Sequence, residues 1–198
     1  MKKIYIISGA NGAGKTTASY TVLPEILECK EYVNADEIAK GLSPFNPDSV
    51  NIQAGKLMLN RINKLLDDGH NFAFETTLAS KSFLKYLDKA HEKGYTSVLV
   101  FLWLNSQDLA IERVQSRVKE GGHNIPKDVI KRRYTRGLKN FFNIYSKAVD
   151  SWMFINNSGN PYKIIAEGSE KNETVYDDKI WEELNGKYNY SGRYSERK

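Results

Sequence analysis

The sequence predicts an α/β fold, a mostly parallel sheet with helices on both faces. Three observations carry that expectation. Short β-branched and aromatic runs alternate with longer amphipathic stretches, as successive βαβ units require. Val98, Leu99, Val100, Phe101, Leu102, Trp103 and Leu104 form an apolar run with no residue left to face water, the mark of a central strand covered on both sides. A glycine-rich turn over residues 9–14 leads from the first strand straight into a helical stretch.

Residues 2–8, with Ile4, Ile6 and Ile7, read as the first buried strand, and residues 15–23 as a helix that stops at Pro24. A second strand is expected over residues 31–34. Asn46-Pro47-Asp48 starts a helix, with Asn46 as cap and Pro47 at its first position, that runs to Asp68 and closes at Gly69. Residues 71–75 form a third strand, residues 80–92 a helix stopped at Gly94, and residues 95–104 the central strand. Residues 106–120 carry Ala110, Val114 and Val118 at four-residue spacing and end at Gly121-Gly122. Pro126 opens one long helix striped by Ile130, Tyr134, Leu138, Phe141, Tyr145 and Ala148. Residues 152–156 make a fifth strand and 162–166 a sixth at the edge. From Glu182 onward the chain is polar and aperiodic, so the expected division is one domain over residues 1–181 and a mobile tail over 182–198.

Composition excludes several classes. Apolar content of 40% and charged content of 27% are those of a folded soluble chain. No apolar run approaches the roughly 20 residues of a membrane helix, and the N-terminal stretch is too short for a signal peptide. Cys29 is the single cysteine and has no internal partner, which suits a reducing compartment, so a cytoplasmic location is expected. The net charge of +5 is uneven: residues 112–147 hold ten Lys and Arg against three Asp and Glu. Such a segment handles phosphate, faces nucleic acid, or is a solvated helix surface.

The chemistry begins at Gly9-Ala10-Asn11-Gly12-Ala13-Gly14-Lys15-Thr16, which satisfies G-x-x-x-x-G-K-[ST] at every fixed position. Glycines let the backbone turn its N–H groups onto phosphate oxygens, Lys15 reaches the β- and γ-phosphates, and the Thr16 hydroxyl can ligate Mg²⁺. Thr17 and the helix N-terminus complete the nucleotide site. A P-loop fold binding ATP with Mg²⁺ is therefore expected, a three-layer sandwich.

Asp36 follows the second strand, where ligands of parallel sheets bind. It can take the proton of an acceptor hydroxyl, hold Mg²⁺ through water, or cap the helix over residues 37–40. Glu75, Thr76 and Thr77 end the third strand, as groups that orient a polar acceptor or, for Glu75, as a carboxylate acting on metal-bound water. Arg113 and Arg117 share a helix face, and Arg132, Arg133, Arg136 and Lys139 follow on the next helix. Guanidinium groups closing over the transferring phosphoryl would serve as an internal arginine finger, with Gly121-Gly122 as the hinge of a lid over residues 112–147.

These residues, with Ile111-Glu112-Arg113 and Arg117-Val118 leading to Gly121-Gly122-His123, Pro126 and Arg132-Arg133-Tyr134, resemble the zeta-toxin family of P-loop kinases, in its single-domain bacterial branch. The resemblance spans residues 2–168. It implies a five-stranded parallel core in the order 2-3-1-4-5, ATP and Mg²⁺ as donor, and a hydroxyl of a small molecule such as a UDP-N-acetyl sugar as acceptor. It also implies Asp36 as acceptor-side base, Glu75 and Thr77 as substrate ligands, and Arg113 on the transferring phosphate. Thr76 stands where the toxin pattern has glycine, and His123 where it has its second lid arginine. Two other readings stand beside a free small-molecule kinase. One is a nucleic-acid-directed enzyme such as a polynucleotide kinase, using the basic segment and Tyr188, Tyr190 and Tyr194 to bind a strand. The other is a toxin module held by an antitoxin protein.

Overall fold

The computed structural model describes residues 1–25, 28–119, 122 and 124–190. Five strands lie parallel: β1 (Lys2–Gly9), β2 (Glu31–Val33), β3 (Phe72–Thr76), β4 (Tyr95–Trp103) and β5 (Ser151–Asn156). They follow the order 2-3-1-4-5, and β6 (Lys163–Ser169) and β7 (Glu173–Val175) extend the sheet antiparallel beyond β5. Both edge strands, β2 and β7, are three residues long. From Ile4 to Gly9 no residue of β1 faces solvent, because helices cover both faces of the centre. The sheet neighbours of β1 are β3 on one side and β4 on the other, so the chain leaves β1 where its flanking connections part. That is where parallel sheets bind ligands.

The helices are α1 (Lys15–Glu25), α2 (Ala35–Leu42), α3 (Asn51–Asp68), α4 (Leu84–Glu92), α5 (Gln107–Lys119), α6 (Lys127–Asn140), α7 (Ser146–Ala148) and α8 (Asp178–Tyr188). The helix expected from Asn46 begins as a 3-10 turn (Pro47–Val50), and Gly69 closes α3 at φ 77° as anticipated. Ser80 and Ser82 bond to each other ahead of α4, so that helix starts later than expected. The long helix after Pro126 is broken by a π-helical turn (Phe141–Tyr145) between α6 and α7. Among the described residues no helix is long and apolar enough to cross a membrane.

The C-terminal region departs most from expectation. Glu182–Tyr188 belong to α8, whose Trp181, Leu184 and Tyr188 are buried. Trp181 stacks on Trp152 at 5.4 Å and also meets Phe141, Phe142 and Phe154. Three anchors at i, i+3 and i+7 suffice to seat this helix, leaving the rest of its surface polar. Tyr188 is thus core and cannot stack a nucleobase; Tyr194 lies outside the described residues. Asn143 of the π-helical turn secures the end, donating to the Tyr188 carbonyl at 2.7 Å and accepting from the Tyr190 N–H at 2.8 Å.

Just before β5, Asp150 Oδ2 accepts from the Ser97 N–H and hydroxyl, both at 2.7 Å, and lies 3.1 Å from His91 Nε2. Burial alone would raise the Asp150 carboxyl, but the Ser97 bonds and His91 outweigh it and hold it below the usual carboxylate value. A group depressed on folding contributes stability above its unfolded value and loses it as pH falls through the folded one. The stability gap between wild type and Asp150→Asn is therefore expected to narrow below about pH 4 in urea titrations. A gap that is constant with pH would contradict this linkage.

Candidate active site

The glycine-rich turn adopts the geometry its residue types require. Gly12 and Gly14 sit at φ 80° and 83°, and a Cβ on either would lie 2.8 Å from the Ala110 carbonyl oxygen or 2.7 Å from Asn157 Nδ2. Two contacts fix the loop: from outside, Asn157, after β5, donates to the Ala13 carbonyl at 2.8 Å, and from within, Lys15 Nζ donates to the Ala10 carbonyl at 2.9 Å. Asn157 was invisible to the sequence reading, since its partner is far away along the chain.

Glu75 lies at the centre of a polar cluster. Its Oε2 accepts from the hydroxyls of Thr16 at 2.8 Å and Tyr32 at 2.5 Å and from the Asn34 amide at 2.9 Å, while Oε1 lies 3.5 Å from Lys15 Nζ. Glu75 therefore packs against Thr16 and Lys15 at the end of the glycine-rich loop. Because Thr16 gives its one proton to Glu75, both lone pairs of its oxygen stay available. That hydroxyl beside two carboxylates, Glu75 and Asp36, is a hard-oxygen donor set that fits Mg²⁺.

Asp36 is not the helix cap. Asn34 caps α2, its side-chain oxygen accepting from the N–H groups of Asp36 and Glu37. Asp36 is left in the first helical turn, exposed, and borders two adjoining cavities. One, of about 210 Å³, is lined by Gly12, Gly14, Lys15 and Thr16 of the loop together with Glu75 and Arg113. The other, of about 360 Å³, lies towards Glu37, Lys40, Pro47 and Asn51. Thr16, Thr17, Asp36 and Arg117 line both.

The other expected residues are distributed unevenly. Arg113 reaches the smaller cavity, but its guanidinium donates to the carbonyls of Asn157 and Ser158 at 2.9 and 3.0 Å. Arg133 is half-buried and bonds Asn11 of the loop at 3.3 Å; burial lowers its pKa, which Asp36 opposes. Arg132 is exposed and lines neither cavity. The Thr76 hydroxyl accepts from the Leu78 N–H at 3.1 Å and so serves the turn after β3, and the Thr77 carbonyl packs where a Cβ on Gly137 would stand, 2.6 Å away. Gly121 and His123 lie outside the described residues.

The helix α6, read as part of a lid, is fastened to the sheet. Tyr134 donates to the Leu104 carbonyl at 2.6 Å and accepts from the Trp103 indole at 3.0 Å, and Asn140 donates to the Leu78 carbonyl at 2.6 Å. It forms a wall that sets Arg133 against the loop.

Comparison with known proteins agrees with this geometry. The family model for Zeta toxin matches residues 1–170. An uncharacterized protein of Haemophilus influenzae is 29% identical over 132 residues, covering 67% of this chain and 92% of that protein. Among solved structures, a chain of the AvrRxo1-ORF1:AvrRxo1-ORF2 complex with sulphate ions superposes at a TM-score of 0.74 and 15% identity, over 93% of this chain. The present chain spans only 63% of that one. The same complex with ATP gives 0.73 and 14%, with the same coverage of 93% and 63%. A chain of the PezAT toxin–antitoxin system of Streptococcus pneumoniae gives 0.67 at 20% identity, over 92% of this chain and 76% of its own.

Proposed function

Since this chain belongs to the zeta toxin family, a family of P-loop kinases, we propose that it moves the γ-phosphoryl group of ATP onto a hydroxyl of a small molecule, with a UDP-N-acetyl sugar as the acceptor to test first. The observation that carries this reading is the meeting of two cavities at Asp36, one floored by the phosphate-binding loop and the other open to an acceptor.

In this mechanism the backbone N–H groups of the loop and Lys15 hold the β- and γ-phosphates, the smaller cavity taking the donor. Bound Mg²⁺, held by Thr16 with Glu75 and Asp36 nearby, would neutralise charge on the phosphate oxygens. The acceptor hydroxyl enters from the larger cavity, where Asp36 accepts its proton as the oxygen forms a bond to Pγ. The bond from Pγ to the β–γ bridging oxygen breaks, and ADP leaves. Charge that develops on the equatorial oxygens is met by Arg117, which faces both cavities, and by Arg133 beside the loop. Arg132, which lines neither cavity, has no part in this scheme.

A protein partner belongs to the same proposal, because the structurally similar PezAT proteins are a toxin–antitoxin pair and AvrRxo1-ORF1 is complexed with ORF2. Leu42, Phe45 and Ile52 are exposed in the stretch whose Lys40, Pro47 and Asn51 line the larger cavity, an apolar surface that such a partner would cover.

The test is ADP release from Mg-ATP with UDP-sugars, nucleosides or short RNAs, with Lys15→Ala as blank. Turnover that depends on a sugar nucleotide is the expected result. Stimulation by RNA alone would replace the small-molecule reading with a nucleic-acid-directed one.

A further inference from the structure

The carboxylate of Glu75 is held more tightly than its role as a lone strand-end residue would require. Strands β2 and β3 run parallel with Val33 opposite Phe74, so Asn34 and Glu75 leave the sheet side by side. Tyr32, two residues before Asn34, points to the same side of the strand. Its hydroxyl donates to Glu75 Oε2 and accepts from Asn34 Nδ2 at 3.1 Å, and Asn34 donates to that same Oε2. The amide orientation of Asn34 is set by the cap it makes on α2, since its oxygen is committed to the N–H groups of Asp36 and Glu37 and its NH₂ must face Glu75. With Thr16, three donors converge on one carboxylate oxygen, and Oε1 on the Lys15 side is what remains. The Tyr32 ring is steadied by an edge contact with Tyr20 at 6.0 Å.

We propose that Tyr32 is a positioning residue that, together with Asn34, fixes the rotation of the Glu75 carboxylate and through it the direction in which the Thr16 hydroxyl offers its lone pairs to Mg²⁺. Neither Tyr32 nor Asn34 lines either cavity; both act through Glu75. The pair couples the metal end of the site to the first turn of α2, where Asp36 stands, because one amide side chain bonds both. The proposal rests on the reading of the loop as an Mg-ATP site.

Calorimetric titration of ATP, with and without MgCl₂, into wild type, Tyr32→Phe, Glu75→Gln and the double variant tests it without any turnover. Tyr32→Phe is expected to bind ATP alone within about twofold of wild type and to lose on the order of tenfold of the gain that Mg²⁺ brings, the usual scale of one hydrogen bond to a charged group. In the double variant the loss should be no greater than in Glu75→Gln, since Tyr32 acts through that carboxylate. Retention of the full Mg²⁺ gain by Tyr32→Phe, or additive losses in the double variant, would overturn the positioning role. Should Tyr32→Phe not fold, Asn34→Ser removes the second donor while keeping a residue that caps helices well, and the same comparison applies. A wild type that binds no ATP under either condition would instead overturn the nucleotide-site reading.

Discussion

Asp36→Asn is expected to lower phosphoryl transfer by about 10²–10⁴-fold, the range for losing a general base, while leaving the affinity for ATP nearly unchanged. The substitution preserves size and the N–H that bonds Asn34, and the helix cap does not depend on the Asp36 side chain. The fold should therefore survive, and the effect should fall on kcat. The two roles open to Asp36 separate in one titration. If the carboxylate accepts the acceptor proton, raising MgCl₂ will not restore the variant. If it serves the metal through water, excess Mg²⁺ will recover much of the rate. A variant with unimpaired transfer would remove Asp36 from the mechanism altogether.

Trp181→Ala is expected to cost about 3–5 kcal/mol of stability, the range for truncating a large buried aromatic residue. Trp181 is only 6% exposed, and its ring is surrounded by Phe141, Phe142, Trp152 and Phe154, with centroids 5.1–6.4 Å away. Its indole N–H also donates to Glu173 Oε1 at 3.2 Å, joining α8 to β7. Chemical denaturation checks the figure, with Trp181→Phe as the milder comparison because it keeps most of the ring contacts. A loss below about 1 kcal/mol would mean that α8 is an appendage and not part of the core.

The fates of these two residues mark what the sequence could tell. The loop was legible because each of its fixed positions answers a local demand, a positive φ at Gly9 and Gly14 or a charge at Lys15, which neighbouring residues announce. The parallel core was legible for a similar reason: Val98–Leu104 has no polar face. The Glu75 cluster was only half legible. Thr16, Tyr32, Asn34 and Glu75 come from three separate parts of the chain, and their meeting depends on the pairing of β2 with β3. Asp36 lies three residues past β2, in the first turn of α2, and the cap went to Asn34, since a cap precedes the first helical residue and the helix begins at Ala35. In α8 the signal was sparse, three apolar anchors among polar residues with Gly186 near the end, and the partner surface was assembled from the π-helical turn and β5. That π-helical turn interrupts an apolar stripe that still reads as a continuous helix.

The short outer strands bear on how another protein could bind. A chain that recognises its partner by adding a strand needs a stretch of unpaired backbone on which to zip. Here β2 offers Glu31–Val33 and β7 offers Glu173–Val175, and an acidic side chain sits on each, Glu31 being paired with Arg61 at 2.6 Å. Neither border gives an incoming segment the register or length to hold. An inhibitory protein would accordingly have to grip helices and loops by their side chains, and its specificity would be written in surface residues such as Phe45 and not in main-chain pairing.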